Sequence, residues 1–232
     1  MMSGAARLVT AGVTAAVVGA ALTATCLVRV LTGYGTATIP SESMRPTFEP
    51  GDRMFYERID GTDLGSGGAG GDRLRRGDVV LYSAPERYGD VLVVQRVVAT
   101  GGERVASRRE GWTEEVTVDG RKLDEPYLPD GRTASTSPYE VTVPEGRLFL
   151  LGDNRGNARD SRSFLDDRGG TVAVDAVVGR VVPGSALRWL LVGAAAGVLV
   201  LLVGIVLGIV GAVGRRREVP VGVAMPEWAA RP

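Results

Sequence analysis

Residues 40–47 read Pro40-Ser41-Glu42-Ser43-Met44-Arg45-Pro46-Thr47, with Gly51-Asp52 just beyond. Two serines two apart, ahead of Met and Pro, make a poor helix and a plausible turn. Alone, such a turn is an ordinary loop. It gains meaning from three further segments downstream. Arg76-Gly77-Asp78-Val79-Val80 comes first, then Gln95-Arg96-Val97-Val98, then Gly152-Asp153-Asn154-Arg155 running to Asp160-Ser161-Arg162. Around them lie short runs rich in β-branched and aromatic residues: Val79–Tyr82, Leu92–Val98, Glu115–Val118, Tyr139–Val143, Leu148–Leu151 and Val177–Val182. Such runs read as strands. Turn formers separate them at Asp119-Gly120, Pro129-Asp130-Gly131 and Pro144-Glu145-Gly146. Asp60–Asp72 is Gly-rich and reads as a flexible loop. The region is therefore expected to be mostly β.

The chain has 232 residues, 27 basic and 27 acidic, for a net charge of zero, and 44% of it is hydrophobic. That length allows one domain, or one domain plus membrane anchors. Zero net charge argues against nucleic acid as a partner. Cys26 is the single cysteine, and there is no histidine. A Ser-His-Asp triad, a Cys-His pair, a disulfide within the chain and the common zinc sites are all excluded. Lys122 is the only lysine. No metal and no cofactor is implied.

Two apolar segments flank the β region. Leu8–Val28 and Trp189–Val213 carry no charge over 21 and 25 residues. About 20 apolar residues span a bilayer core, so each is long enough to be a transmembrane helix. The first is longer than a usual signal-peptide core, which favours a retained anchor over a cleaved secretory signal. Arg215, Arg216 and Arg217 place the far end in the cytoplasm, Arg7 agrees, and Arg29 opposes the bias. The expected layout is a cytoplasmic N-terminus (1–7), a transmembrane helix (8–28), an extracytoplasmic β domain (33–188), a second transmembrane helix (189–213) and a cytoplasmic tail (214–232). The protein is thus expected in the cell membrane, multi-pass, with membrane lipid as a partner.

In this order, behind an N-terminal anchor, the four boxes resemble type I signal peptidases, the membrane serine endopeptidases of the S26 family. The resemblance runs from about Ile39 to Val182 and takes in Val118-Asp119-Gly120 and Leu123-Asp124-Glu125-Pro126-Tyr127. It implies a β-rich catalytic domain near the outer membrane surface that removes signal peptides from exported preproteins by a Ser/Lys dyad. It makes Ser43 the nucleophile. It gives the oxyanion hole to the Ser41 hydroxyl and the Ser43 backbone N–H, and a share of the substrate pocket to Met44. Arg96, Asp153, Asp160 and Arg162 become supporting charges. In a dyad, a neutral amine takes the serine proton, and preorganised donors hold the oxyanion.

Two departures stand out. The resemblance puts the base lysine immediately before Arg96, where this chain has Gln95. An amide has no useful basicity near neutral pH. The serine that orients the lysine in the family is Ala158 here. Lys122 falls in the Asp119-Gly120 hairpin region, not at the matching position. Two readings remain open. One is an active peptidase with an unconventional base, such as Asp160 or Lys122. The other is a catalytically impaired homologue that binds exported segments or a partner signal peptidase. A base within hydrogen-bond reach of Ser43 separates them.

Overall fold

The computed structural model describes residues 4–59, 74–110, 113–128 and 138–217. They form two units, one of two long helices (through Val30 and from Leu187) and one comprising Leu31–Ala186. The Asp60–Asp72 loop, the Pro129-Asp130-Gly131 turn and the tail beyond Arg217 lie outside the described residues.

The helices are α1 (Gly4–Gly33) and α3 (Gly184–Arg217). Each runs past the apolar stretch that announces it, because arginine is a good helix former and tolerated at the ends. Both are long and apolar enough to cross a membrane, with mean hydropathy 1.9 and 2.9 over their best windows. They pack antiparallel through small residues. A Cβ on Gly12 would meet the Gly208 nitrogen at 2.4 Å, and one on Gly204 would meet the Ala16 nitrogen at 2.4 Å. Backbones approach this closely only where side chains are absent, a device typical of helices packing in lipid. The Thr23 hydroxyl donates across the seam to the Ala194 carbonyl (3.4 Å).

The second unit is mostly β, as expected. A seven-stranded antiparallel sheet has the order β1-β2-β11-β3-β4-β9-β10, and a four-stranded sheet the order β7-β6-β5-β8. All six predicted runs are strands: β3 (Val79–Ser83), β4 (Leu92–Thr100), β6 (Thr113–Val118), β8 (Tyr139–Thr142), β9 (Arg147–Leu151) and β11 (Val177–Val182). The others are β1 (Tyr34–Thr38), β2 (Arg53–Arg58), β5 (Arg104–Glu110), β7 (Arg121–Lys122) and β10 (Val172–Ala173). Asp119-Gly120 joins β6 to β7 with positive φ at both residues (50° and 75°), as a two-residue type I′ hairpin requires.

β3 is an unbroken apolar run because both its faces are covered. Val80 and Tyr82 face a core with Val97, Leu148 and Leu150. Val79 and Leu81 pack with Ile39, Met44, Met54 and Val94. A third cluster joins the sheets through Val98, Phe149 and Leu151 against Val105, Val116 and Val118. One short helix, α2 (Pro85–Tyr88), precedes β4, started by Pro85 in its first turn.

Candidate active site

The serine box forms a single 3₁₀ turn over Glu42–Met44, with Ser41 extended before it. Met44 anchors the turn, being completely buried in the core cluster with Ile39 and Leu81. That burial leaves Ser41 exposed and Ser43 half-buried. Their hydroxyl oxygens lie 3.0 Å apart.

The Gly152–Asn154 segment clamps the turn through its backbone. The Asn154 N–H donates to the Ser43 carbonyl (2.9 Å), and the Asn154 side-chain amide donates to the Glu42 carbonyl (3.1 Å). Gly152 is required by this approach. A Cβ there would stand 2.6 Å from the Ser43 carbonyl oxygen and 2.4 Å from the Ala158 Cβ.

Behind the turn the charged residues are paired. Arg96 grips Asp153 with two hydrogen bonds, Nε to Oδ1 at 2.8 Å and Nη2 to Oδ2 at 2.5 Å. The same carboxylate accepts from the Thr47 hydroxyl. Arg96 also donates to the Gly77 carbonyl (2.8 Å) and lies 3.9 Å from the centre of the Tyr127 ring. Asp160 caps the 3₁₀ turn Ser161–Phe164. It accepts from the Arg162 backbone (3.1 Å), from Arg162 Nε and Nη2 (2.9 and 2.8 Å) and from the Gly152 N–H (3.2 Å). Arg155 and Glu125 form a further buried ion pair. Each charge is matched, which burial demands.

Gln95 projects from β4 and is 1% exposed. Its amide is engaged at both ends. Oε1 accepts from the Tyr82 hydroxyl (2.8 Å), and Nε2 donates to the Arg159 carbonyl (2.8 Å). The Tyr88 hydroxyl donates to that same carbonyl (2.9 Å). Burial pushes the Tyr82 hydroxyl far above its ordinary value, with neighbouring Tyr88 adding to the effect. Tyr88 is also raised, chiefly by burial. Both phenols therefore stay protonated and act as hydrogen-bonding groups, not as bases.

Ser41, Ser43, Met44 and Gln95 all line one cleft of about 330 Å³. Ile39, Pro40, Tyr88, Val91–Val94, Asn157 and Arg159 complete it. The walls are largely apolar, with a few polar groups converging on the serines, which is the form of a small-ligand or peptide site. Among the described residues, the Ser41 hydroxyl is the sole hydrogen-bond partner of the Ser43 hydroxyl. Asp160 is committed to Arg162 and Gly152. Lys122 sits on β7 of the other sheet, 72% exposed and paired with Glu115 (2.8 Å). Neither contributes to the cleft.

Sequence reading alone missed Tyr82, Tyr88 and Arg159, which hold Gln95, and Thr47 and the Arg155–Glu125 pair. Thr47 and Arg155 had a signal in their places in the boxes, and Glu125 in its place in Leu123–Tyr127. Nothing in the spacing of Tyr82 and Gln95 reveals that adjacent strands bring them together. Among the described residues, no group of three or more Cys, Asp or Glu could hold a metal ion.

The family model "Signal peptidase, peptidase S26" matches residues 10–184. The chain is similar to signal peptidase I of Bacillus caldolyticus, 32% identical over 160 residues that cover 64% of this chain and 77% of that protein. It is also similar to signal peptidase I of Mycobacterium tuberculosis (strain H37Rv), 31% identical over 191 residues and 61% of each chain. Among solved structures, a signal peptidase I from Enterococcus faecalis V583 aligns with a TM-score of 0.37 and 29% identity, over 47% of this chain and 96% of that one.

Proposed function

The chain belongs to the S26 signal peptidase family, and on that premise we propose that it is a signal peptidase I-like serine endopeptidase acting on signal peptides of exported preproteins at the membrane. The observation that carries the reading is the Ser41–Ser43 hydroxyl pair, 3.0 Å apart in an apolar cleft. In this reading Ser43 Oγ attacks the scissile carbonyl. The Ser41 hydroxyl and the Ser43 N–H hold the oxyanion, and Met44 contributes to the wall that receives a small side chain. Arg96, Asp153, Asp160 and Arg162 support the segment that clamps the serine turn. No metal or cofactor takes part.

Gln95 occupies the position of the base lysine, and Ala158 that of its orienting serine. Loss of a general base costs roughly 10²–10⁴ in rate. Where base and nucleophile work as a unit the loss reaches about 10⁶. Turnover is therefore strongly reduced. A second reading, an impaired homologue that binds exported segments or a partner signal peptidase, is favoured by one observation. The Gln95 amide is tied to Tyr82 and Arg159, and among the described residues the Ser43 hydroxyl bonds only to another hydroxyl.

The helices α1 and α3 serve as membrane spans. Residues 33–188 then lie on the extracytoplasmic side, and the arginines after Val213 remain inside. The test is cleavage of a preprotein by the full-length protein in detergent, beside Ser43→Ala and beside the double variant Gln95→Lys, Ala158→Ser. Cleavage abolished by Ser43→Ala supports an active enzyme. Cleavage by the double variant alone supports the binding reading. No cleavage by any form, with intact folding, sinks the peptidase assignment.

A further inference from the structure

The mouth of the serine cleft carries a cation with no acidic partner among the described residues. Arg159 is exposed and lines the cleft beside Tyr88 and Asn157. Its guanidinium lies 4.9 Å from the Phe164 ring centre and 5.9 Å from that of Tyr88. Among the described residues no carboxylate forms an ion pair with it. The adjacent Asp160 is taken by Arg162 and Gly152. Glu42, on the serine turn, is paired with Arg45.

The Arg159 backbone is fixed independently of its side chain. Its carbonyl accepts from Gln95 Nε2 and from the Tyr88 hydroxyl, at 2.8 and 2.9 Å. The guanidinium is thus presented from a firm base and rests against two aromatic rings. It keeps its fork of N–H donors for a ligand. A planar guanidinium held this way matches a carboxylate with two parallel hydrogen bonds. The rest of the cleft wall is dominated by Ile39, Pro40 and Val91–Val94, which give no charge preference.

We infer that Arg159 is a specificity-determining residue that selects peptides carrying an acidic side chain beside the small, apolar residues received in the cleft. This rests on the reading of the cleft as a peptide site. Selectivity here is a difference of affinities. An aspartate gains an ion pair, an asparagine gains at most a neutral contact, and a lysine meets a like charge. The pair forms at a wet cleft mouth, so its effect is modest, about five-fold, and is screened by salt.

The test uses the full-length protein in detergent and labelled peptides with an apolar stretch followed by small residues. One flanking position at a time is set to Asp, Asn or Lys. At one position the Asp peptide is expected to bind about five-fold tighter than Asn at low salt, with Lys weakest. Arg159→Gln should erase the ranking and Arg159→Glu should invert it, while thermal unfolding in detergent, read separately, reports an intact fold. Equal binding of all three peptides by the unmodified protein, or a ranking that survives Arg159→Gln, overturns the inference alone. Absence of binding by every peptide overturns the peptide-cleft reading and this inference with it.

Discussion

The Gln95 amide oxygen and the Tyr82 hydroxyl meet at 2.8 Å between neighbouring strands, both side chains being essentially closed to solvent. A buried acceptor that loses its donor retains the full desolvation penalty, about 1–3 kcal/mol. Tyr82→Phe is therefore expected to lower stability by that amount, or by roughly 2–10 °C in Tm. Replacing both partners by apolar residues, Tyr82→Phe with Gln95→Met, removes the orphan and recovers most of the loss. Thermal unfolding in detergent checks the cycle. Strict additivity of the two single changes would show that the residues do not interact.

The Arg96–Asp153 pair behaves in the same asymmetric way, with larger stakes. Asp153 is wholly buried, and the Arg96 side chain is 11% exposed. Asp153→Ala strands the guanidinium and is expected to cost about 3–5 kcal/mol. The carboxylate also accepts from Thr47, three residues beyond Met44 and the serine turn. Peptide affinity should consequently fall together with stability. Asp153→Ala unfolding with the unmodified profile would rule out a supporting role for the pair.

Acid should weaken a contact at the other end of α2. Arg87 donates to the Asp167 carboxylate (Nη2–Oδ2, 2.8 Å) and holds its pKa below the ordinary 3.8. A carboxyl depressed by folding adds stability above its unfolded value, and the gain disappears as pH falls through the folded value. The stability difference between the unmodified protein and Asp167→Asn is expected to be constant above about pH 5 and to shrink below about pH 4. Unfolding midpoints across that range decide it. A difference that grows on acidification contradicts the pairing.

The fold was legible where the sequence carries its own pattern. β3, β4, β9 and β11 are apolar runs covered on both faces or nearly so. β5 was not legible, because its residues Arg104–Glu110 are mostly polar and its inward Ser107 is buried only by its partner strands. β1 and β2 were missed for a like reason: their pattern is supplied by each other, through the register Tyr34↔Glu57 to Thr38↔Arg53. At the candidate site the box order announced the serines, the glutamine and the charged residues. The hydrogen bonds from Tyr82 and to the Arg159 carbonyl could not be read, since one depends on strand pairing and the other on a main-chain atom that any residue possesses.

The helix pair depends on close backbone approach and should be sensitive to bulk at its seam. Gly204→Val places a branched side chain where a single Cβ already lies 2.4 Å from the Ala16 nitrogen and 2.7 Å from the Gly12 carbonyl oxygen. The helices must then separate. Gly33→Val, with open space at its Cβ, serves as control. Cysteine pairs across the seam should cross-link less efficiently in Gly204→Val and normally in Gly33→Val. Equal cross-linking in the two variants would refute the packing.

Restoring an amine at position 95 gives the sharpest expectation, because its surroundings work in opposite directions. Burial favours the neutral amine and lowers its pKa from the ordinary value of about 10.4. The Arg159 carbonyl and the Tyr82 hydroxyl oxygen can accept from an ammonium and raise it again. Tyr82 remains protonated because burial lifts its own pKa. Cleavage by Gln95→Lys, Ala158→Ser should thus exceed that of the unmodified protein by about 10²–10⁴. It should require Ser43 and rise with pH as the amine loses its proton. Adding Tyr82→Phe removes one acceptor, so the ammonium is held less firmly and the pH midpoint of cleavage should move down. An unmoved midpoint would mean that an amine at residue 95 turns away from Tyr82, and that the pocket holding the glutamine is not the one that would hold the base.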